Sequence, residues 1–516
     1  MKTGIKRFAI LLISISGTGI AAAADLRDPV RIETGLVQGV ATRDNAVVAF
    51  KGIPYAAPPV GNLRWRDPQP PLRWEGVRQA DRFGASCLQK VKAGSPKEMS
   101  EDCLFLNVWT PARSSAERLP VLLFIHGGAD RSGSGSGDIY DGEALARKGI
   151  LVVTINFRLG LLGGFAHPEL TAESPHRCSG NYALLDAIAA LRWIHGNIAA
   201  FGGDPEKVTI SGQSSGAHTI HYLTVSPLAR GLFRGAIAMS FPQHFMMQEN
   251  FIGNLQFKEQ QGLQFAEIKH ARSLEELRRM PAAALLAEDP EVNRRGLHLS
   301  GIIQDGWVVP EQYMPAFKKG IAADVPTLIG LTADDFGVIA SHSTMTVDAF
   351  SAQARQRFGE RAAAFLALYP AATDQAAAEM DKQMQREKGM ADIFFWAGWR
   401  AKMTKTPVYT YLFEQVMPNP EHPELGASHS SDTIYEFNNL EKLDRPWTPD
   451  DRRVADNVSS YWVNFVKTGN PNGGNLPQWA PFDPGNAATM VLGAHSGSRP
   501  ITTPERLGFY RDLLEK

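Results

Sequence analysis

Apolar positions fall along this chain in two patterns. From residue 119 onward come continuous apolar runs: LPVLLFIHGG (119–128), LVVTINFRLG (151–160), KVTISGQSSG (207–216) and GAIAMS (235–240). Runs without alternation fit strands covered on both faces, as in a parallel sheet. Between the second and third lies NYALLDAIAALRWIHGNIAAFGG, where Leu184, Ile188, Leu191 and Ile194 recur at intervals of three and four. That spacing predicts an amphipathic helix, stopped by Gly202 and Gly203. Strand–helix–strand repetition predicts a doubly wound α/β sheet.

The flanking stretches read differently. Residues 25–60 have the look of short strands and turns, and 61–79, rich in Pro, Arg and Trp, that of a loop. Residues 250–300 are charged and helical, an excursion from the sheet. VPTLIGLTADDFG (325–337) returns to it, and residues 345–404 are helical again. TPVYTYLFEQV (406–416) reads as a strand by its alternation and β-formers. DRRVADNVSSYWVNFVKTGNPN predicts a late helix ended at Gly469. There is no internal repeat and no long linker. The expected organisation is one domain over 25–516 with helical insertions around 250–300 and 345–404.

The first residues are a separate case. Lys2, Lys6 and Arg7 precede an apolar run from Phe8 to Ile15, then small residues ending in Ala22 and Ala24. This order predicts a signal peptide over 1–24, cleaved near Ala24, and the run is too short to span a bilayer. A periplasmic or secreted protein is expected, without stable membrane insertion. Three cysteines are present, and export permits disulfides. Cys87 and Cys103, sixteen apart, can close a short loop, which leaves Cys178 free.

Composition changes this picture little. A chain of 516 residues, 44% apolar and 21% charged, suits one large α/β body with insertions. A net charge of -1, with no basic stripe, gives no support to a nucleic-acid partner. No CxxC pair or His/Cys cluster points to a metal, and no cofactor is implied. Oligomeric state is not legible.

The candidate chemistry starts at Gly212-x-Ser214-x-Gly216. With 47 glycines in the chain, a chance match to this pentapeptide is not rare. Its surroundings discriminate: Val208-Thr209-Ile210 supplies a strand before the serine and GAHTIHYLTV a helix after it. That is the setting in which a serine is held on a sharp turn with flanking glycines. A serine hydroxyl needs a base, a carboxylate to orient the base, and donors for the oxyanion. The run ending His126-Gly127-Gly128-Ala129 offers backbone donors, and the Ser215 amide another. SGSGSG (132–137) lacks the Gly-Lys-Ser/Thr ending of a phosphate loop. Thirteen histidines leave the base open on spacing alone.

Several segments together resemble the type-B carboxylesterase family, the cholinesterase-like branch of the α/β-hydrolases. FKGIPYAAPPVGNLRW resembles its N-terminal signature, and SEDCLFLNV (100–108) its disulfide-region signature. VVTINFRLG, the central helix, VTISGQSSGA, GASHSSDTIYEF (426–437) and VKTGNPN follow in family order. The resemblance implies an α/β-hydrolase fold and ester hydrolysis through an acyl-enzyme. Residue by residue, it implies Ser214 as nucleophile and His429 as base. It implies Asp335 as the acid, with adjacent Asp334 the rival, and the amides of Gly128, Ala129 and Ser215 as the oxyanion hole. Ser240 matches a serine that supports the acid.

Departures from the family pattern are Gln213 where Glu is usual, Ser215 where Ala is usual, Ala129 for a third glycine, and aspartate at 335 for glutamate. Asp130, followed by Arg131, stands where the family commonly has an aromatic. This implies either a solvent-facing pair or a more polar acyl pocket. Phe241, Phe245, Met246 and Met247 fall where the family approaches the acyl group, and His126 and His218 flank the machinery. The substrate range implied runs from xenobiotic esters to large polyesters, including tricarballylic esters of mycotoxins. The competing readings are a catalytically silent adhesion relative, and a lactone, carbamate or amide hydrolase using the same site.

Overall fold

A computed structural model describes residues 26–90, 96, 98–241, 253–335 and 345–514. The expected signal segment lies outside these residues, as do Phe245, Met246 and Met247.

The main sheet is built from β1 (Val40–Ala41), β2 (Val48–Pro54), β3 (Phe105–Thr110), β4 (Leu119–Ile125), β5 (Leu151–Ile155), β6 (Gly203–Gln213), β7 (Gly235–Met239), β8 (Thr327–Thr332), β9 (Val408–Phe413), β10 (Ala488–Leu492) and β11 (Gly497–Pro500). Their spatial order is β11-β10-β9-β8-β7-β6-β4-β5-β3-β2-β1. Neighbours from β10 across to β5 run parallel. The edges on either side are antiparallel.

The apolar runs become these parallel strands because both faces of the sheet are covered. Along β4, alternate side chains enter different cores, as the two-residue period of a strand requires. Val121, Leu123 and Ile125 join the core that holds Leu184, Ile188, Leu191 and Ile194 of α1 (Tyr182–Asn197). Leu122 and Phe124 join the core that holds Val454, Val458, Trp462 and Phe465 of the late helix (Pro449–Thr468). The predicted helix ends came from real caps: Gly202 and Gly469 both take the left-handed conformation (φ 80° and 76°) that favours glycine there.

β9 departs from the alternating reading. Five of its six residues are buried, because it lies inside the parallel block and is covered on both faces. Its tyrosines, Tyr409 and Tyr411, face one core, and the Tyr411 hydroxyl donates to Asp432, so the polar look of VYTYLF does not mark a solvent face.

Further helices are α2 (Ser215–Val225), α3 (Leu255–Ile268), α4 (Asp374–Met403) and α5 (Ser431–Glu436). Cys87 and Cys103 form a disulfide, and Cys178 is buried and free. A disulfide persists in oxidising compartments, which fits export. Among the described residues no helix is long and apolar enough to cross a membrane.

Candidate active site

Parallel strands deliver their C-terminal ends to one edge of the sheet, where ligands of open α/β folds bind. Here β4, β6 and β8 end at the glycine loop, at Ser214 and at Asp335.

Ser214 is the single residue between β6 and α2, with φ 56° and ψ −125°. A side chain held at positive φ costs about 1–3 kcal/mol and persists only where the surroundings over-determine it. Its amide donates to the Met239 carbonyl at 2.9 Å, and its carbonyl accepts from the His218 amide at 3.0 Å. The flanking glycines are sterically required. A Cβ on Gly212 would lie 2.5 Å from the Gly216 carbonyl carbon, and one on Gly216 would lie 2.1 Å from the Ile125 carbonyl oxygen. The pentapeptide is therefore a tight strand-to-helix crossing and not a loose small-residue loop.

The glycine loop sits against this crossing. Gly128, Ala129 and Asp130 have φ of 121°, 55° and 56°. The Asp130 amide donates to the Ser215 hydroxyl at 3.1 Å, so the serine found in place of alanine ties the loop to the elbow. Burial pushes the Asp130 carboxyl up to about 6, against the Ser215 hydroxyl and the Arg131 charge, which pull it down. His126 packs behind the loop, stacked on Phe157 at 4.5 Å, with Nδ1 donating to the Gly127 carbonyl at 2.7 Å. Burial lowers it to about 4, which keeps it neutral. His218 stacks on Phe241 and is likewise pushed down to about 4 by burial.

Ser214, His429 and Asp335 come together. His429 Nε2 lies 2.9 Å from Ser214 Oγ, and Nδ1 hydrogen-bonds Asp335 Oδ1. The other Asp335 oxygen accepts from the Thr332 amide at 3.1 Å. Burial alone would lower His429. The Asp335 hydrogen bond and charge, with Asp432 behind, raise it above the ordinary histidine value. The Gln213 amide nitrogen lies 3.3 Å from His429 Nε2.

The two adjacent aspartates are separated by what they touch. Asp335 faces His429, whereas Asp334 holds the histidine loop. The Asp334 amide donates to the Ala427 carbonyl at 2.9 Å, and its carboxylate accepts from the Ala427 amide at 2.8 Å and from Arg386 at 3.3 Å. Ser240 follows directly on β7. It is buried at φ 57°, and its hydroxyl has no hydrogen-bond partner among the described residues. The described contact to the second Asp335 oxygen comes from the Thr332 amide, because Asp335 closes back onto its own strand end.

Sequence reasoning did not single out the polar groups behind the relay. Asp432 and Glu436, on α5 just after His429, are buried. Tyr411 of β9 donates to Asp432 Oδ2 at 2.8 Å, and Ser211 donates to Glu436 Oε1 at 3.3 Å. Burial pushes Asp432 up to about 7 and Glu436 far above the usual carboxylate range. The signal was in the sequence as two acids four apart, the spacing that puts both on one helical face, directly after a candidate histidine.

Comparison with known proteins places the chain among carboxylesterases. The model of the carboxylesterase family matches residues 27–509. The chain is 35% identical over 507 residues to fumonisin B1 esterase of Sphingopyxis macrogoltabida, covering 94% of this chain and 90% of that protein. It is 34% identical to para-nitrobenzyl esterase of Bacillus subtilis (strain 168), covering 90% and 94%. A solved structure of PNB esterase superposes with a TM-score of 0.78 at 29% identity, covering 95% of this chain and 99% of the other. The sheet is that of an α/β-hydrolase, and the activity is carboxylic-ester hydrolysis. By the match of nearly its whole length, the chain belongs to the carboxylesterase family.

Proposed function

We propose that Ser214, His429 and Asp335 carry out this hydrolysis as a nucleophile, base and acid relay. The observation that carries the reading is the continuous hydrogen-bonded line from Ser214 Oγ through both nitrogens of His429 to Asp335. Ser214 Oγ attacks the ester carbonyl as His429 Nε2 takes its proton. Asp335 holds the Nδ1–H tautomer and stabilises the imidazolium. The amides of Gly128, Ala129 and Ser215 receive the developing oxyanion, where one lost donor costs roughly 3 kcal/mol. The carbonyl re-forms, and the alcohol leaves with the proton from His429. Water then cleaves the acyl-enzyme by the same route, releasing the acid and free Ser214.

The substrate we propose is an ester whose acyl half carries further carboxylates, of the tricarballylic kind. Two facts support it. Asp130, followed by Arg131, stands where an aromatic residue is common after the glycine loop, which favours a polar acyl environment. The relative at 35% identity is an esterase of fumonisin B1. The protein acts after export, with residues 1–24 removed as a signal peptide. The test is a panel of short and long acyl esters, a carbamate and a tricarballylate ester, each run against the Ser214→Ala variant. Turnover of the polyacid ester well above that of neutral esters supports the reading. Equal activity of wild type and variant on every substrate overturns it. Amino-terminal sequencing of the exported protein checks the cleavage site.

A further inference from the structure

One face of α1 is buried against the sheet, and a second face lines an open cleft. Leu185, Ala189, Arg192 and Trp193 share that second side, beside the core positions Leu184, Ile188 and Leu191. The Pro- and Arg-rich segment 67–73, DPQPPLR, supplies much of the rest of the lining. The cleft holds about 690 Å³, within the ~300–1,000 Å³ span of small-ligand sites.

The cleft is not the ester site. β5 and β6 both run parallel to β4, so α1 between them must return from the Ser214 edge of the sheet to the edge where β6 begins. Asn197, the last residue of α1, marks that far edge. Its Nδ2 donates to the Trp193 carbonyl at 3.0 Å, and its Oδ1 accepts from the Glu33 amide at 2.9 Å. Trp193 and Glu33 both line the cleft, whereas Ser214, His429, Asp335 and the glycine loop do not.

The walls are apolar and rigid. They include Pro70, Pro71 and two indoles, Trp193 and Trp307. The His176 ring stacks on Trp307, centroids 3.6 Å apart and 11° from parallel, and the Trp307 amide donates to Asp305 Oδ1 at 3.0 Å. The indole is thus held before anything binds, which lowers the cost of binding. The charged lining cancels: Arg73 and Arg192 stand against Glu33 and Asp67. An ionic ligand of either sign meets as many like charges as opposite ones. The lining suits instead a neutral ligand that donates to the carboxylates and accepts from the guanidiniums. Thr34 and Trp193, 8% and 6% exposed, add a hydroxyl and an indole N–H with no hydrogen-bond partner among the described residues. A sugar ring meets both demands. Its hydroxyls donate and accept all round, and its C–H face lies flat on an aromatic ring or a proline.

We propose that this cleft binds a neutral oligosaccharide, its C–H faces on Trp307, Trp193 and the prolines and its hydroxyls on Arg73, Arg192, Glu33 and Asp67. The site is separate from the catalytic serine and independent of the ester substrate proposed above.

The test titrates cellotetraose, xylotetraose and maltotetraose separately into the wild type, up to about 10 mM, with calorimetry and saturation-transfer NMR as readouts. At least one of the three binds saturably. Trp307→Ala weakens that binding about tenfold and Arg192→Ala about threefold. Both variants hydrolyse p-nitrophenyl butyrate at the wild-type rate, and saturating sugar leaves the wild-type KM for that ester unchanged. Failure of all three sugars to bind overturns the proposal, as does binding of 2-naphthoate in their place, which would make the cleft an anion site. Sugar that competes with the ester sits at Ser214, and sugar that binds both variants as tightly as the wild type sits elsewhere; either result overturns the cleft. Melting curves accompany each variant. If Trp307→Ala does not fold, Arg192→Ala and Arg73→Ala, both at exposed positions, decide: weaker binding supports the site, and unchanged binding overturns it.

Discussion

Ser214 stands between a strand and a helix that are contiguous in the chain, whereas His429 meets an acid 94 residues earlier. The two halves of the site differ accordingly. Around Ser214 the forces are steric: close backbone crossings at Gly212 and Gly216, and a residue held at positive φ. Around His429 they are electrostatic: Asp335 and Asp432 bear on the imidazole, Glu436 is buried behind Asp432, and Arg386 binds Asp334, which holds the loop. A half built from backbone contacts fails when an atom is added. A half built from charge fails when a proton is moved.

The largest expected effects come from the first half. Ser214→Ala should reduce kcat by about a millionfold while leaving the melting temperature near that of the wild type, since removing the hydroxyl relieves nothing in the crossing. Gly216→Ala should lose activity for the opposite reason. Its new methyl meets the Ile125 carbonyl, so the elbow must shift, and a stability loss of about 1–3 kcal/mol should accompany the loss of rate. Kinetics and urea unfolding of the two variants separate them. Should Gly216→Ala be fully active, the steric account of this half is wrong.

Next in size is the choice between the adjacent aspartates. Asp335→Asn should lower kcat by about ten-thousandfold with little change in folding, because the amide favours the wrong imidazole tautomer. Asp334→Asn should cost activity less than tenfold and act through loop order, visible as a lower melting temperature. The reverse outcome would exchange their roles. This is also where the sequence was least decisive. The elbow and the strands could be read because their signals are local: apolar runs, glycine spacing, a strand before and a helix after the serine. The order of the two aspartates along one turn says nothing about which meets His429; Asp334 is drawn to Ala427 and Arg386, far off in the chain. The contact of Asp335 with the Thr332 amide likewise has no sequence signature.

A smaller effect sharpens the electrostatic half. His429 must be neutral to take the Ser214 proton, and its folded pKa is raised, so the acidic limb of kcat/KM should lie above pH 6.5. Gln213→Glu would put a carboxylate beside Nε2 and should move that limb up by about one unit, as a nearby opposite charge favours the imidazolium. No movement would mean that Gln213 does not sense the histidine's charge.

The last effect tests whether the buried carboxyls behind the relay are held protonated. Asp432 is raised to about 7 by burial foremost and by the Asp335 charge, against the Tyr411 hydroxyl and His429. An acid whose folded pKa exceeds its unfolded value favours folding only while it keeps its proton. Its contribution is therefore full below about pH 4 and is lost as pH rises through 7. Asp432→Asn replaces the neutral carboxyl with a neutral amide that does not ionise. The gap in unfolding free energy between variant and wild type should then move in the variant's favour from pH 4 to pH 8, by on the order of 4 kcal/mol. Urea titrations at the two ends of that range measure it. A gap that stays constant would mean Asp432 ionises normally in the fold, and that the histidine half is balanced by water or cations and not by protons.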